Sequence, residues 1–409
     1  MKVYLESYGC TLNSAENGAL VCGLIHHGFQ RVESPESADI IILGTCTVIE
    51  TTERHMISRM HALQQYGKKL IVTGCMASAQ VEIIREHAPD AIILPPERYR
   101  DILKILKISQ KPLYFVPEVN DVIAAIPIAN GCTGTCSYCI TRIARGKLRS
   151  REPDEIRRSV MHCVAQGARE IRLTAQDTAA YGMDIHTSLP ECIRKVTSIP
   201  GSFMVRVGMM NPRTAFPILS ELINAFSHKK VFKFIHLPVQ SGSNRILLEM
   251  KRGYDMHTFY EIVSAFRRKF RKCTLSTDII VGYPTETDED FEESVKLVAN
   301  IKPDIINVTR FSPRKGTPAF KLKPLPQRIV KERSRILVEM RFHISRENLE
   351  KRIGKTERVL VCEKGKKHTM IGRTMDYKPV IIEEPVKLGN ILDVEIVGAT
   401  DIFLIGKSL

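Results

Sequence analysis

The chain lacks the features that mark membrane-spanning and secreted proteins. Its 409 residues contain no run of 18 apolar residues, close to the length that a transmembrane helix needs. Glu6 interrupts the N-terminus, where a secretory signal peptide would need an apolar stretch. We therefore expect a soluble, cytoplasmic protein without a membrane partner, long enough for two or three domains with substantial cores.

The cysteine content does not suggest a disulfide framework. The chain has 11 cysteines, an odd number, and a reducing cytosol would keep their thiolates free for metal. Five of them occur in helical or strand patterns without partners, as is ordinary for small buried thiols: Cys22, Cys163, Cys192, Cys273 and Cys362. The other six have the arrangement expected of metal ligands.

Three of these six lie in one short segment. Cys132, Cys136 and Cys139 follow a short apolar run with the spacing C-x3-C-x2-C. Three thiolates at this spacing would hold three irons of a cubane cluster and leave the fourth iron open. An open iron can bind and cleave a small molecule, whereas a fully ligated cluster mainly carries electrons. The segment therefore indicates an enzyme.

A structural zinc site is the alternative for this segment. Such a site normally needs four ligands, and the next His or Cys residues, His162 and Cys163, fall inside a predicted helix over residues 154–166. Tyr138 stands before the last cysteine, where radical S-adenosylmethionine (SAM) enzymes commonly have an aromatic residue, and the segment resembles that family. The resemblance implies a four-iron cluster whose open iron binds SAM.

The net charge of +15 is unevenly distributed. Residues 1–120 carry −1, residues 121–325 carry +11 and residues 326–409 carry +5. A positive excess confined to the last two segments suggests a polyanionic partner, with RNA or DNA as the first candidates. The alternative is a set of solvated Lys and Arg side chains on helix faces.

Residues 1–110 alternate short strand patterns with helical ones, which predicts an open α/β domain with a parallel sheet. Each of three predicted strands ends one residue before a cysteine: Cys10, Cys46 and Cys75. The carboxyl ends of parallel strands meet at one edge of the sheet, so these cysteines can converge there. This favours a second three-cysteine cluster over three unrelated buried thiols.

Residues 111–124 are predicted to be a linker, and residues 125–325 contain six βα units in succession. Six such units predict a barrel or partial barrel, with a doubly wound sheet as the alternative. Polar residues at the predicted strand ends are candidates to face SAM or substrate: Gln176, Asp177, Arg206, Gln240, Ser241 and Asp278. Capping of the next helix by Asp177 or Asp278, and a simple ion pair for Arg206, are the structural alternatives.

Residues 326–350 are predicted to form a strongly charged helix, and residues 351–409 a small all-β barrel. Modules of this size and shape are often used on nucleic acid. The module has few aromatic residues, chiefly Tyr377 and Phe403, which argues against base stacking. Its lysine-rich turn at residues 363–367 favours contact with the nucleic-acid backbone instead.

The two cysteine triads and the C-terminal β module together resemble the methylthiotransferase family over essentially the whole chain. The resemblance includes the motifs HLPVQSGSNRILLEMKRGY (236–254), STDIIVGYPTETDEDF (276–291) and FSPRKGTPAF (311–320). The last segment is similar to the RNA-binding TRAM module of such enzymes. One departure is Thr285, where the family usually has glycine, and a turn that needs positive φ would be strained there.

Within the family, the sequences CITRIARGKLRS (139–150) and LTAQDTAAYGMDI (173–185) are most similar to the branch that modifies N6-threonylcarbamoyladenosine in tRNA. The resemblance implies two 4Fe–4S clusters: the Cys132, Cys136 and Cys139 cluster would cleave SAM, and the Cys10, Cys46 and Cys75 cluster would supply sulfur. It implies tRNA, SAM and an electron donor as partners, without DNA. The alternatives are methylthiolation of isopentenyladenosine or of a ribosomal-protein aspartate, and a non-catalytic iron–sulfur RNA-binding protein.

Overall fold

The computed structural model describes residues 1–409, and its first part is an open five-stranded parallel sheet in the order β2-β1-β3-β4-β5. The strands are β1 (Lys2–Ser7), β2 (Gln30–Arg31), β3 (Ile40–Thr45), β4 (Lys69–Gly74) and β5 (Ile92–Leu94). The helices are α1 (Thr11–His26), α2 (Glu50–Gln64), α3 (Cys75–Ala79), α4 (Val81–His87) and α5 (Ile102–Ile105). The continuous apolar run of β3 is buried along its whole length, as a central parallel strand requires.

The central part forms a partial barrel. Its strands are β6 (Val119–Asn120), β7 (Ile123–Pro127), β8 (Ala129–Asn130), β9 (Arg149–Ser150), β10 (Glu170–Thr174), β11 (Met204–Val207), β12 (Phe234–His236), β13 (Thr274–Val281) and β14 (Ile305–Arg310). Its helices are α6 (Thr141–Arg145), α7 (Pro153–Ala165), α8 (Leu189–Thr197), α9 (Pro212–Ala215), α10 (Leu219–Phe226), α11 (Asn244–Glu249), α12 (Met256–Lys269) and α13 (Asp288–Ile301).

The parallel strands follow chain order around this partial barrel. Strands β7, β10 and β11 are neighbours in one sheet, β12, β13 and β14 in a second, and a parallel bridge from Val205 to Val231 joins the two. A doubly wound sheet would reverse its strand order at a switch point. The barrel prediction is therefore confirmed over its alternative.

The C-terminal part begins with the long helix α14 (Gln327–Glu350). Strands β15 (Thr356–Lys364), β16 (Met370–Thr374), β17 (Pro379–Ile382), β18 (Ile391–Ala399) and β19 (Leu404–Ser408) then close into a barrel in the order β15-β16-β17-β19-β18. Apolar side chains of all five strands fill its interior. The predicted all-β barrel is confirmed. None of the helices is both long and apolar enough to cross a membrane.

The two outer parts pack on opposite ends of the central barrel. At the amino ends of its strands, the barrel contacts the C-terminal part. The Tyr377 hydroxyl donates a hydrogen bond to Glu170, and Lys378 Nζ lies 2.6 Å from Asp304. The backbone N–H of Lys233 donates to the carbonyl of Met375. At the carboxyl ends, α3 of the N-terminal domain packs against α6. Because barrel ligands bind at the carboxyl ends of strands, the N-terminal domain covers the functional mouth.

Three local details differ from the sequence-based expectations. Strand β1 ends at Ser7, so Cys10 follows it by three residues rather than by one, whereas Cys46 and Cys75 follow β3 and β4 directly. The predicted linker 111–124 contains the strand β6 and the start of β7. Thr285 is absent from the residues with positive φ, so its turn does not carry the expected strain.

Candidate active site

The loop with Cys132, Cys136 and Cys139 is closed at its base by a small antiparallel ribbon. Strands β8 and β9 pair just before and after the loop. Gly131 has φ +78° there, and a Cβ on it would lie 2.0 Å from the carbonyl oxygen of Lys147. Only glycine permits this close return of the chain. The loop is therefore clamped at the mouth of the barrel, and the backbone N–H of Gly134 donates to Cys132 Sγ at 3.2 Å.

A buried arginine from a distant part of the chain contacts this loop. Arg252, between α11 and α12, donates from one NH2 group to Cys136 Sγ at 3.3 Å and to the Tyr138 hydroxyl at 3.4 Å. Its other NH2 group donates to the carbonyl of Pro238 at 3.0 Å. Arg252 is buried and has no carboxylate partner. Its positive charge is therefore available to stabilise negative charge on the cysteine sulfurs.

An asparagine links two of the segments that carry the cysteines of the N-terminal domain. Asn13 Nδ2 donates to the carbonyl of Tyr8 at 2.6 Å and to that of Thr45 at 3.2 Å, which ties the Cys10 loop to the Cys46 loop. Gly74 brings the junction of β4 and α3, which carries Cys75, close to the Cys46 loop, since a Cβ there would lie 2.3 Å from the Thr45 oxygen. The three cysteines follow the carboxyl ends of the neighbouring strands β1, β3 and β4 and therefore lie along one edge of the sheet.

Arg145 joins the two triads. It lies six residues after Cys139, at the end of α6, and its Nε donates to Cys75 Sγ at 3.3 Å. The same guanidinium pairs with Glu16 and donates to Asn13 Oδ1 at 3.0 Å. Burial raises the pKa of Glu16, and the charge of Arg145 opposes that rise. One side chain of the barrel loop thus contacts the neighbourhood of the N-terminal triad.

The donor sets fit iron–sulfur clusters better than single metal ions. No three His, Cys, Asp or Glu side chains converge on one point as the ligands of a single ion would. Ligands of a cubane need not converge in this way, because each thiolate binds a different iron. Burial raises the pKa of Cys75 and of Cys132 to about 11, and a bound metal would displace those protons.

The structure also shows where the two residues considered as a fourth zinc ligand lie. His162 and Cys163 lie on α7, and Cys163 is fully buried in the barrel core. Neither side chain belongs to the Cys132 loop, so the local fourth ligand that a zinc site needs is not supplied by these residues.

Two of the predicted strand-end residues act within the protein. Asp177 accepts the backbone N–H groups of Ala179 and Asn211 at 3.2 and 3.0 Å, and the Thr214 hydroxyl at 2.8 Å. It therefore has the capping role that was its structural alternative. Ser241 is fully buried and accepts the backbone N–H of Ser243 at 3.2 Å, within its own turn.

Two other predicted residues, Asp278 and Gln240, contact each other through the backbone. Asp278 Oδ1 lies 2.9 Å from His236 Nε2 and accepts a hydrogen bond from Asn307 Nδ2 at 2.7 Å. Gln240 has φ +76° and donates its backbone N–H to the carbonyl of Asp278 at 2.8 Å. Asp278 is thus a shared acceptor for two side chains rather than a helix cap.

Arg206 is the predicted residue with the least satisfied side chain. Its guanidinium carbon lies 4.8 Å from the ring centre of Phe234 and 5.3 Å from that of Tyr377. Its buried Nε has no hydrogen-bond partner, and the same is true of Gln176 Oε1. Arg206 takes part in no ion pair, and the nearby carboxylate of Glu170 pairs with Arg172 instead. The predicted position of Arg206 at the mouth is therefore wrong, because its guanidinium packs against Tyr377 of the C-terminal barrel at the amino ends of the strands. Gln176 Oε1 remains available to a bound molecule.

Sequence reasoning missed four residues that organise the site: Asn13, Arg145, His236 and Arg252. Arg252 and His236 belong to the quoted motif 236–254, and Arg145 to the quoted segment 139–150. Three of the four residues therefore lie in quoted motifs, which was the sequence signal that pointed to them. The contacts themselves span up to 132 residues of sequence and have no local pattern.

Family models match three segments of the chain. The radical SAM superfamily model matches residues 126–298, the model of uncharacterized protein family UPF0004 matches residues 2–94, and the TRAM domain model matches residues 350–409. These segments correspond to the partial barrel, the N-terminal sheet domain and the C-terminal barrel.

Solved structures support the fold. The radical SAM methyltransferase TsrM from Kitasatospora setae, with cobalamin and a 4Fe–4S cluster bound, has a TM-score of 0.57 at 13% identity and covers 78% of this chain and 76% of its own. The cobalamin-dependent SAM radical enzyme OxsB has a TM-score of 0.52 at 12% identity, with 83% and 56% covered.

Curated relatives match the full length. A probable threonylcarbamoyladenosine tRNA methylthiotransferase of Pyrococcus horikoshii is 41% identical over 100% of this chain and 99% of its own. The human threonylcarbamoyladenosine tRNA methylthiotransferase is 32% identical over 99% of this chain and 74% of its own. The chain therefore belongs to the threonylcarbamoyladenosine tRNA methylthiotransferase family, which are radical SAM enzymes that use an iron–sulfur cluster and act on tRNA.

Proposed function

We propose that this protein adds a methylthio group to C2 of N6-threonylcarbamoyladenosine beside the anticodon of tRNA. The observation that carries the proposal is the contact of Arg145 with Cys75 Sγ, because it connects the barrel triad to the N-terminal triad. Methylthiolation needs activation of a C–H bond and delivery of sulfur at the same carbon. Two triads that share one mouth of the barrel would meet that need.

In this proposal each triad holds one 4Fe–4S cluster, Cys132, Cys136 and Cys139 in the barrel and Cys10, Cys46 and Cys75 in the N-terminal domain. When bound, the clusters supply one-electron cleavage of SAM and the sulfur source, for a carbon that has no acid or base route in water. The side chains of the protein orient these groups. Arg252 donates to Cys136 on one side, and Arg145 donates to Cys75 on the other.

The interior of the barrel below the mouth would receive SAM and the adenine base. Gln176 offers a polar atom without a partner, and the group of His236, Asp278 and Asn307 lies on the neighbouring strands β12, β13 and β14. We assign these residues to ligand binding. Asp177 and Ser241 would act as positioning residues, because their own turns already use their acceptors. Tyr138 and Gln240 would line the same space.

The basic C-terminal half would bind the tRNA backbone. Residues 121–325 and 326–409 carry +11 and +5, and the turn after β15 has Lys364, Lys366 and Lys367. Contacts of lysine with phosphate release counterions, so affinity should fall steeply with salt. A tRNA substrate would place the reaction in the cytoplasm, with an electron donor as a further partner and without DNA.

Mass spectrometry of tRNA nucleosides tests the proposal. A strain without the gene, and without a paralogue, should lack 2-methylthio-N6-threonylcarbamoyladenosine, and the intact gene should restore it. A gene with Cys136→Ala is the matched control and should not restore it. Unchanged levels of the methylthio nucleoside in the deletion strain would overturn the assignment.

Iron analysis after anaerobic reconstitution tests the number of clusters. About eight irons per chain would support two clusters, and about four would support one. Formation of 5′-deoxyadenosine from SAM separates the enzyme from a non-catalytic iron–sulfur RNA-binding protein, which has no need to cleave SAM.

A further inference from the structure

We propose that Arg145 is a positioning residue that couples the two triads. Its guanidinium is carried on the barrel loop, and it would set the orientation and the reduction potential of the cluster held by Cys10, Cys46 and Cys75. The inference rests on the proposed function, since it requires a cluster at that triad. It deepens that function by assigning to the contact of Arg145 with Cys75 a measurable effect on the potential of the cluster.

The guanidinium meets a different acceptor with each of its three nitrogens. Nε donates to Cys75 Sγ at 3.3 Å, one NH2 group pairs with Glu16, and the other donates to Asn13 Oδ1 at 3.0 Å. The side chain is 1% exposed. Lysine offers a single point of charge and would not reproduce this fork. The geometry therefore specifies arginine and holds it in one orientation.

Each of these acceptors belongs to the N-terminal domain, and two of them, Asn13 and Glu16, make a further hydrogen bond. Asn13 ties the Cys10 and Cys46 loops together through the carbonyls of Tyr8 and Thr45. Glu16 also accepts a hydrogen bond from Asn130 of the barrel at 3.1 Å. A movement of α6 would therefore be transmitted to the loops that carry the N-terminal triad.

The charge arrangement gives a direction to the effect. Reduction adds one negative charge to a cluster, and an N–H donor or a positive charge at a ligand sulfur stabilises the reduced form. The carboxylate of Glu16 offsets much of the positive charge of Arg145. The hydrogen bond from Arg145 Nε to Cys75 Sγ is present beside this ion pair. The N–H···S contact itself would then be the main contribution. Loss of Arg145 should lower the reduction potential of the N-terminal cluster.

The test uses the full-length chain with Cys132→Ala, Cys136→Ala and Cys139→Ala, which leaves only the N-terminal triad for iron. Arg145→Met and Arg145→Lys are introduced into this background. Lys147→Met is the matched control, because it removes an exposed positive charge two residues away that makes no hydrogen bond. The readouts are iron content, the midpoint potential from a spectroelectrochemical titration, and the electron paramagnetic resonance signal of the reduced cluster.

We expect Arg145→Met to shift the midpoint potential to a lower value and to broaden the resonance signal, with a smaller shift for Arg145→Lys and none for Lys147→Met. A full iron load with an unchanged potential and signal in Arg145→Met would overturn the inference. A background protein without any iron would instead overturn the two-cluster proposal, and the inference with it.

Arg145→Met leaves Glu16 as a buried carboxylate without its partner, which threatens folding. The double variant Arg145→Met with Glu16→Gln removes both charges and avoids that cost. The same fall in potential in the double variant supports the role of the N–H···S contact. A potential equal to that of the background protein in the folded double variant would contradict it.

Discussion

The two cysteine triads differ in how the chain builds them. Cys132, Cys136 and Cys139 lie in one loop of eight residues that a single ribbon closes. Cys10, Cys46 and Cys75 follow the ends of three neighbouring strands, and Cys75 is the first residue of α3. The first site needs only a correct local turn, whereas the second needs a correctly formed sheet. The barrel triad can therefore tolerate movement of the domains, and the N-terminal triad depends on the packing around it.

The triads also differ in electrostatics, although each has one arginine N–H 3.3 Å from a cysteine sulfur. Arg145 shares its charge with Glu16, whereas Arg252 has no carboxylate partner. The barrel triad thus lies beside an uncompensated buried cation, and the N-terminal triad beside a nearly neutral pair. An unpaired positive charge favours the reduced form of a cluster. With a cluster at each triad, as proposed above, the barrel site would take up an electron more easily.

Removal of either triad should have the largest effect and separate the two roles. Alanine at Cys132, Cys136 and Cys139 should reduce 5′-deoxyadenosine formation to background, because the iron that binds SAM is lost. Alanine at Cys10, Cys46 and Cys75 should leave 5′-deoxyadenosine formation intact and abolish the methylthio nucleoside. Chromatography with mass spectrometry measures both products. Methylthiolation that survives without the N-terminal triad would break the comparison.

The charge difference predicts a strong effect of Arg252→Met. Residues that support metal ligands typically contribute about 10- to 100-fold to affinity or activity, and we expect a loss of that size in 5′-deoxyadenosine formation. The Tyr138 hydroxyl would lose its donor, and the Pro238 carbonyl would keep only the Tyr254 hydroxyl. Lys251→Met, at the exposed neighbouring residue, is the control. Equal rates for the two variants would remove Arg252 from the site.

The dependence of the N-terminal triad on packing predicts the effect of Arg314→Met. Arg314 Nε donates to the Val48 carbonyl at 3.2 Å, and another nitrogen donates to Glu53 at 2.7 Å, across the two domains. Loss of these buried contacts should lower the free energy of unfolding by about 1–3 kcal/mol.

In Arg314→Met the yield of methylthio nucleoside should fall more than that of 5′-deoxyadenosine, because only the former requires both triads. Thermal unfolding and product ratios measure these effects. Arg310→Met, at the exposed last residue of β14, is the control and should change neither the stability nor the product ratio. A parallel fall of both products would show that the barrel triad depends equally on domain packing.

The smallest effect is expected at the opposite end of the barrel. Tyr377→Phe removes the hydrogen bond from the hydroxyl to Glu170 and keeps the ring beside Arg206. The loss should be about 0.5–1.5 kcal/mol of stability, as for one hydrogen bond. Thermal unfolding measures it, and the spectra of both clusters should stay unchanged. A changed cluster spectrum would extend the functional site to the C-terminal interface.

Much of the architecture was accessible from sequence. The spacing of Cys132, Cys136 and Cys139 predicted a loop site, the βα succession predicted the partial barrel, and the three strand-end cysteines predicted convergence at one sheet edge. Each of these predictions rests on a local pattern of a few to a few tens of residues. The motif at 236–254 likewise indicated the family before any contact was known.

The tertiary structure alone decided which side chains support the triads. Asp177 was predicted at a strand end, and only the packing showed that its acceptors are used by Ala179, Asn211 and Thr214. For Arg206 the sequence leaves a ligand contact and an ion pair open, and only the packing shows that its guanidinium lies against the rings of Phe234 and Tyr377. Such outcomes depend on which partners three-dimensional packing brings within hydrogen-bond distance.

By itself the sequence determined the kind of chemistry, because cysteine spacing and strand order are properties of the chain. It did not determine how the two cysteine sites are connected. Arg145 and Cys75 are 70 residues apart, and Arg252 and Cys136 are 116 apart. The first contact forms only when the N-terminal domain docks on the mouth of the barrel, and the second only when the end of α11 packs beside the Cys136 loop. A hydrogen bond at 3.3 Å requires a placement of donor and acceptor that no local sequence pattern encodes.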